Sequence, residues 1–216
     1  MKFLIHTLPA RLWYVKDYLI PSMLQQDIKF DDIDIYIDEA LEGNLKSTLR
    51  SFKKIPDDYD YTWHLQDDII ISSNFKQIVD ELDLPFYNMV SCGFCSIYDK
   101  GPAGEVTPED MWYSFNCIKI SNKYAHEYVR WVEEKERAND PKFFLQISNN
   151  MYDDYLFKSF LMDKHPDAAV DNIAPNLVEN IDYLIGGSTL CKREEQIHSR
   201  YWKEDDLIEQ IKNKLS

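Results

Sequence analysis

The sequence lacks any long apolar run. Although 44% of its 216 residues are hydrophobic, no uninterrupted apolar stretch approaches the roughly 18 residues that a membrane-spanning helix needs. The first residues, MKFLIHTLPA, contain one lysine, and His6 and Pro9 interrupt an apolar stretch that is too brief for the core of a signal peptide. The sequence therefore predicts a cytoplasmic protein without a membrane span.

Basic residues are scarce. The chain has 24 Lys and Arg against 38 Asp and Glu, which gives a formal net charge of -14 at pH 7. This charge repels the phosphate backbone of nucleic acids and anionic membrane surfaces, so extended binding to duplex DNA is not expected. A divalent cation reverses the local field, however, and an acidic chain can still bind a phosphorylated small molecule through such an ion.

The sequence also lacks the paired cysteines of a zinc finger. Cys92 and Cys95 form one CxxC motif, but Cys117 and Cys191 stand far apart and supply no second pair. The CxxC motif lies in the apolar run NMVSCGFCSIY, where free thiols commonly serve as small core residues. We expect reduced, buried cysteines.

Apolar and aromatic bulk is abundant, with 14 Tyr, 11 Phe and 5 Trp. Disordered chains lack such a supply of core residues, and a chain of this length can bury a substantial core. We predict one domain over residues 1–202, with an amphipathic C-terminal helix over residues 203–216 packed on it.

Strand and helix patterns alternate along the chain. Ile33, Ile35 and Ile37 alternate with polar or aromatic residues, which is typical of a strand. Strands are predicted at 3–7, 33–38, 61–71, 86–94 and 111–120, helices after each of the first three and at 122–138, a mobile loop at 99–110, and a further helix from about residue 153. This order implies an α/β fold with a mainly parallel sheet covered on both faces, whose ligands bind outside the carboxyl ends of the strands.

Two adjacent aspartates stand where the third predicted strand leaves the sheet, in Gln66-Asp67-Asp68. The pair is self-repelling, but it becomes useful when Mg²⁺ or Mn²⁺ binds a carboxylate and diphosphate oxygens together. A solvated turn or helix start is the alternative for an Asp-Asp pair. The unbroken strand before the pair, with Trp63 and His64 inside it, favours the functional interpretation.

The stretch WHLQDDIIISSNF resembles the DxD strand of GT-A type glycosyltransferases, with Gln66 in place of the first acid. The resemblance implies a single GT-A-like, Rossmann-like domain. It also implies transfer of a sugar from a nucleotide diphosphate sugar, most commonly a UDP-sugar, to an acceptor. In that family pattern Asp68 is the principal Mn²⁺ or Mg²⁺ ligand, and Asp67 contacts the metal shell or the donor sugar.

Two further segments resemble the same family. The first strand and loop, IHTLPAR, place Arg11 where GT-A enzymes often bind the nucleotide. The segment PNLVENIDYLIGGSTL resembles their late strand and Ser-rich turn, near which a histidine often serves as a third metal ligand. This chain has Asn180 there, so the third ligand is Asn180, His198 or water.

The concentrated basic stretch after the glycine turn at 186–187 is a candidate for closing over the diphosphate. Ser188, Lys192 and Arg193 are its candidate contacts. A solvated helix face is the alternative interpretation.

A second acidic pair, Asp153-Asp154, stands at a predicted helix start, where the helix dipole stabilises ionised carboxylates. In inverting GT-A enzymes a carboxylate at a similar place deprotonates the acceptor hydroxyl. Asp154 is the first candidate for this base and Asp153 the second. A helix N-cap is the alternative role, and a retaining transfer would need no such base.

Two other functions remain open from the sequence alone. A metal-dependent nucleotidyltransferase or phosphohydrolase could hold two ions between the two acidic pairs, and a non-catalytic module could bind a nucleotide sugar without reaction. The acceptor also stays open among glycan, protein, lipid head group and modified nucleobase. Trp112 and Tyr113 are candidates to stack on it, or belong to the core.

Overall fold

The computed structural model describes residues 2–57, 60–81, 89–91, 104–109, 116–148, 153–168, 170–172 and 178–180. Nine strands are present in this part of the chain: β1 Lys2–Thr7, β2 Ile33–Ile37, β3 Tyr61–Gln66, β4 Ile69–Ile71, β5 Met89–Ser91, β6 Gly104–Val106, β7 Cys117–Ser121, β8 Val170–Asn172 and β9 Val178–Asn180. Seven of them form one sheet in the order β2-β1-β3-β7-β5-β8-β6, and β4 pairs with β9 in a second sheet.

The large sheet is mixed. Strand β1 runs parallel to both β2 and β3, and β5 runs parallel to β8. Strand β7 is antiparallel to β3 and β5, and β6 is antiparallel to β8. Five of the seven strands therefore point the same way, which agrees with the predicted α/β fold and places several strand ends at one edge of the sheet.

Helices cover both faces of the sheet. Their bounds are α1 Leu12–Tyr14, a π-helical turn Val15–Leu19, α2 Ile20–Leu24, α3 Asn44–Phe52, α4 Phe75–Glu81, α5 Asn122–Arg137, α6 Pro141–Ser148 and α7 Asp153–Lys164, with short 3₁₀ turns at Pro9–Arg11 and Phe30–Asp32. Gly43 precedes α3 with a φ of 97°, a conformation that glycine adopts without strain. None of the helices described here is long and apolar enough to cross a bilayer.

Alternate residues of the strands feed two separate cores. On β1, Phe3 and Ile5 pack with α1, the π-helical turn, α2 and α4, whereas Leu4 packs with α3, α5, α6 and α7. On β7, Cys117 belongs to the first core and Ile118 to the second. This two-sided burial is the pattern expected of a sheet with helices on both faces.

Several predictions about the elements need correction. The predicted strand at 61–71 is interrupted at Asp67-Asp68, and its last three residues form β4 in the second sheet. The predicted mobile loop at 99–110 contains β6, and the segment between the helices at 122–138 and 153 contains α6. Strand β8 was not predicted. The predicted helix at 203–216, Cys92, Cys95 and Cys191 lie outside the described residues, while Cys117 is a buried free thiol as expected.

Candidate active site

Three strand ends meet at one edge of the sheet. The parallel registers place His6 beside Gln66 and Thr7 beside Ile37, so the residues that follow β1, β2 and β3 emerge together. The Asp38 amide donates a hydrogen bond of 2.8 Å to the Thr7 carbonyl, which ties the first two strand ends. Asp67 follows the third, and this edge is where open α/β sheets bind ligands.

Asp67 is buried at this edge, with 4% of its surface exposed. Its Oδ2 accepts hydrogen bonds from the Thr7 hydroxyl at 2.7 Å and from the Leu8 amide at 3.2 Å. Its Oδ1 accepts a hydrogen bond from Arg11 Nη1 at 3.0 Å. The chain leaving β1 therefore holds both oxygens of this carboxylate.

Asp68 shares the same arginine. It is 6% exposed, and its Oδ2 lies 3.3 Å from Arg11 Nη1. Arg11 reaches the pair because the 3₁₀ turn Pro9–Arg11 follows β1 directly and brings its side chain back over the strand end. One nitrogen atom thus contacts carboxylates from two adjacent residues.

Burial dominates the electrostatics of the pair. It raises the pKa of Asp67, and the neighbouring Asp68 carboxylate raises it further, while Arg11 and the Thr7 hydroxyl act in the opposite direction. Burial, with the charges of Asp68 and Asp67, also raises the pKa of Tyr14 well above its ordinary value. The Tyr14 hydroxyl stays protonated and donates a 2.7 Å hydrogen bond to the Ile69 carbonyl, just after the acidic pair.

The second sheet brings the backbone of Asn180, a candidate metal ligand, close to the acidic pair. Strand β9 pairs antiparallel with β4, and Asn180 stands opposite Ile69, the residue that follows Asp68.

Asp153 and Asp154 are the first two residues of α7, so the predicted helix start is confirmed. The remaining candidates, Ser188, Lys192, Arg193, His198, Trp112 and Tyr113, lie outside the described residues.

A polar cluster at the end of β2 was missed by the sequence analysis. Asp38 is 1% exposed, and its Oδ1 accepts hydrogen bonds from Arg50 Nη2 at 2.8 Å and Nε at 3.2 Å. Burial alone would raise the pKa of Asp38, but hydrogen bonds from Ser47 and Arg50 hold it below its ordinary value. The available signal was its position as the last residue of IDIYID, at the ligand edge of a strand.

His6 and His64 lie in β1 and β3, the strands that lead to this edge. His64 is fully buried, 3.1 Å from the Ser51 hydroxyl and edge-on to the Phe52 ring. His6 is half-buried, with Nε2 2.6 Å from the Ser47 hydroxyl. Burial lowers the pKa of His6 although the nearby Asp67 and Asp38 carboxylates favour its charged form. His6 therefore contacts the polar groups at the strand ends as well as the residues packed around it.

The acidic pair fits a hard divalent cation. Its oxygens are the ligand type that Mg²⁺ and Mn²⁺ prefer, and both carboxylates already converge on one positive nitrogen. Within the described ranges, no three His, Cys, Asp or Glu side chains cluster as a metal-binding group. One or two carboxylates plus substrate phosphates and water are, however, the usual way in which Mg²⁺ is held.

A cavity of about 250 Å³ lies between α5 and α7, lined by Glu127, Arg130, Trp131, Glu134, Phe160, Lys164 and His165. None of the strand-end residues lines it. Its walls carry both signs of charge, and the indole nitrogen of Trp131 is already hydrogen-bonded to Asp163 at 2.8 Å. The chemistry of the chain is therefore better placed at the strand ends than in this cavity.

Comparison with solved structures supports this fold. The chain superposes on residues 1–349 of Staphylococcus aureus TarS with a TM-score of 0.50 and 13% identity, over 86% of this chain and 62% of that one. The two chains share a mixed α/β fold, with a mostly parallel sheet flanked by helices. This chain spans only about three fifths of the TarS structure, and at this identity the likeness establishes the fold alone.

Two other structures are more distant. Mouse xyloside xylosyltransferase 1 in its apo form matches with a TM-score of 0.40 and 10% identity, over 79% of this chain and 83% of that one. HddC from Yersinia pseudotuberculosis matches with a TM-score of 0.36 and 11% identity, over 80% of this chain and 90% of that one. No protein-family model and no curated protein sequence matches the chain.

Proposed function

We propose that this protein is a metal-dependent glycosyltransferase that moves a sugar from a nucleotide diphosphate sugar, preferably a UDP-sugar, to an acceptor hydroxyl. The observation that carries the proposal is the Asp67-Asp68 pair, buried together at the ligand edge of a GT-A-like fold around one positive group. A structural ion pair alone would not require two adjacent carboxylates, of which Asp67 has a pKa raised first by burial and then by repulsion from Asp68.

In this proposal Asp68 is the principal ligand of Mn²⁺ or Mg²⁺, and Asp67 contacts the metal shell or the donor sugar. A bound ion supplies positive charge that stabilises the departing diphosphate. Asn180, which stands opposite the residue after Asp68, supplies a further ligand in this proposal; His198 or water is the alternative. Ser188, Lys192 and Arg193 are proposed as contacts of the diphosphate.

The nucleoside is proposed to lie over the ends of β1 and β2. Acidic residues at the end of the second strand of doubly wound sheets accept hydrogen bonds from ribose hydroxyls. Asp38 occupies that place, and its lowered pKa keeps it an ionised acceptor at neutral pH. The hydrogen bonds from Arg50 hold its side chain in position.

The transfer step needs a proton acceptor if the anomeric configuration inverts. The acceptor oxygen then bonds to the anomeric carbon, the bond from that carbon to the diphosphate oxygen breaks, and the hydroxyl proton passes to a carboxylate. Asp154 is proposed as this base, with Asp153 as the second candidate. Both begin α7, where the helix dipole favours the ionised form.

The metal requirement is tested by thermal shift. UDP or a UDP-sugar should raise the melting temperature only when Mn²⁺ or Mg²⁺ is present, because the acidic pair repels a bare diphosphate. Asp68→Asn should abolish this stabilisation, whereas Asp80→Asn, which removes an exposed carboxylate on α4, should preserve it. Equal stabilisation in EDTA would contradict the proposed metal site.

The base is tested by comparing Asp154→Asn with Asp68→Asn. Loss of a general base typically slows a reaction by about 10²- to 10⁴-fold and leaves the ground-state complex intact. Asp154→Asn should therefore lose transfer but still bind donor and metal, whereas Asp68→Asn should lose both. The assay follows release of the nucleoside diphosphate, since a nucleotidyltransferase would release pyrophosphate instead. If Asp154→Asn fails to bind donor or to fold, the residue is a ligand or a helix cap.

A further inference from the structure

We propose that Arg11 is a switch for the metal site. In the ligand-free protein its guanidinium pairs with both Asp67 and Asp68, and it must leave them before a divalent cation can bind. This inference rests on the proposed function, because it takes the acidic pair to be the metal site.

The geometry makes occupation by arginine and by metal mutually exclusive. Arg11 Nη1 lies 3.0 Å from Asp67 Oδ1 and 3.3 Å from Asp68 Oδ2. A divalent ion held by Asp68, with Asp67 in contact with its shell, would need the space between the two carboxylates that this nitrogen occupies. Two positive groups that lie so close together in a partly dehydrated site repel each other strongly. The arginine therefore competes with the metal for this carboxylate pair.

The two oxygens of Asp67 are held by different partners, which suits an exchange. The Thr7 hydroxyl and the Leu8 amide both bind Oδ2, while Arg11 binds Oδ1. When the arginine leaves, the hydrogen bonds to Oδ2 keep the carboxylate in place. Oδ1 then becomes available without any movement of the strand ends.

Arg11 can move without refolding the site. It ends a 3₁₀ turn and precedes α1, so its long side chain can rotate about its own bonds while the backbone stays fixed. Separating it from a buried carboxylate pair is unfavourable unless another group replaces each partner. A metal replaces the guanidinium at the carboxylates, and a diphosphate can replace the carboxylates at the guanidinium.

This exchange predicts coupled binding. Metal alone must displace Arg11 without offering it a new anionic partner, so its affinity is low. A nucleotide diphosphate offers that partner and further metal ligands together, and the two should therefore bind with positive cooperativity. Removing Arg11 should raise the affinity for metal alone and reduce the cooperativity.

The experiment is a Mn²⁺ titration of the full chain at pH 8 without nucleotide, followed by the same titration with saturating UDP. Arg11→Gln should bind Mn²⁺ about tenfold more tightly than the wild type when nucleotide is absent, within the usual range of coupling between sites. UDP should strengthen Mn²⁺ binding by the wild type much more than by the variant. Arg137→Gln, which removes an exposed arginine at the end of α5, controls for the change in net charge and should behave like the wild type.

Each outcome has one meaning. An Arg11→Gln protein whose Mn²⁺ affinity equals or falls below that of the wild type overturns the switch. If Asp68→Asn leaves Mn²⁺ binding unchanged, the metal site and the proposed function fail instead. Should Arg11→Gln not fold, Arg11→Lys carries the same test, because its point charge does not reproduce the guanidinium geometry. A smaller rise in Mn²⁺ affinity than for Arg11→Gln is then expected, because lysine keeps the positive charge, and no rise overturns the proposal.

Discussion

Burial shifts two ionisable residues at the strand ends, Asp67 and His6, toward their neutral forms. It raises the pKa of Asp67 above its ordinary value of 3.8 and lowers that of His6 below 6.5. As the pH rises, Asp67 therefore loses its proton at a higher pH in the folded protein than in the unfolded chain. As the pH falls, His6 gains its proton at a lower pH in the folded protein than in the unfolded chain. The two residues have opposite effects on the pH dependence of stability, and a variant at one site is needed to separate them.

His6 should make the protein less stable as the pH falls below 6.5. In that range the unfolded chain binds a proton at this residue more readily than the folded protein, so acidification favours unfolding. The slope cannot exceed about 1.4 kcal/mol per pH unit. Urea unfolding of the wild type and His6→Gln from pH 7.5 to about 5 should show a steeper loss for the wild type. Parallel curves would show that His6 is not shifted.

At the scale of elements, local periodicity was enough where an element packs along its whole length. The helix predicted at 122–138 is observed as α5, Asn122–Arg137, and the strand predicted at 33–38 is observed as β2, Ile33–Ile37. Both carry a regular apolar spacing that matches their burial. The information that specifies them is contained in a single window of sequence.

Elements defined by distant partners were not predictable in this way. Strand β6, Gly104–Val106, has the glycine and proline neighbours of a loop, and its pairing with β8 depends on residues more than sixty positions away. The break between β3 and β4 arises because β4 pairs with β9 and leaves the large sheet. Such pairings follow from topology rather than from local preference.

The sequence indicated three residues of the candidate site but not the contacts between them. The sequence indicated Arg11, Asp67 and Asp68 separately, but nothing in it placed the arginine on both carboxylates. The parallel register of β1 and β3 brings these residues together across 56 and 57 positions of sequence. Asp38 was passed over because the alternating pattern that marks β2 accounts for it as an ordinary polar residue.

The whole molecule carries a net charge of -14, and this charge acts on the metal and the nucleotide in opposite senses. An acidic protein concentrates cations near its surface and repels anions, an effect that extends over about one Debye length. The buried pair at Asp67 and Asp68 is screened much less than the surface charges. Changes in salt therefore separate the long-range field of the protein from the local site.

We expect opposite salt responses for the two ligands. Raising KCl from about 0.01 M to about 0.15 M shortens the Debye length from about 30 Å to about 8 Å. Mn²⁺ binding without nucleotide should weaken severalfold, because the attraction of the acidic surface is screened. The weak UDP binding that remains in EDTA, too weak to raise the melting temperature, should strengthen, because the repulsion between the acidic protein and UDP is screened as well. Calorimetric titrations at the two salt concentrations measure both, and Asp80→Asn, with one exposed charge fewer, should reduce the salt dependence only slightly. If Mn²⁺ affinity does not change with salt, the local carboxylate pair alone determines it and the field of the whole protein plays no part.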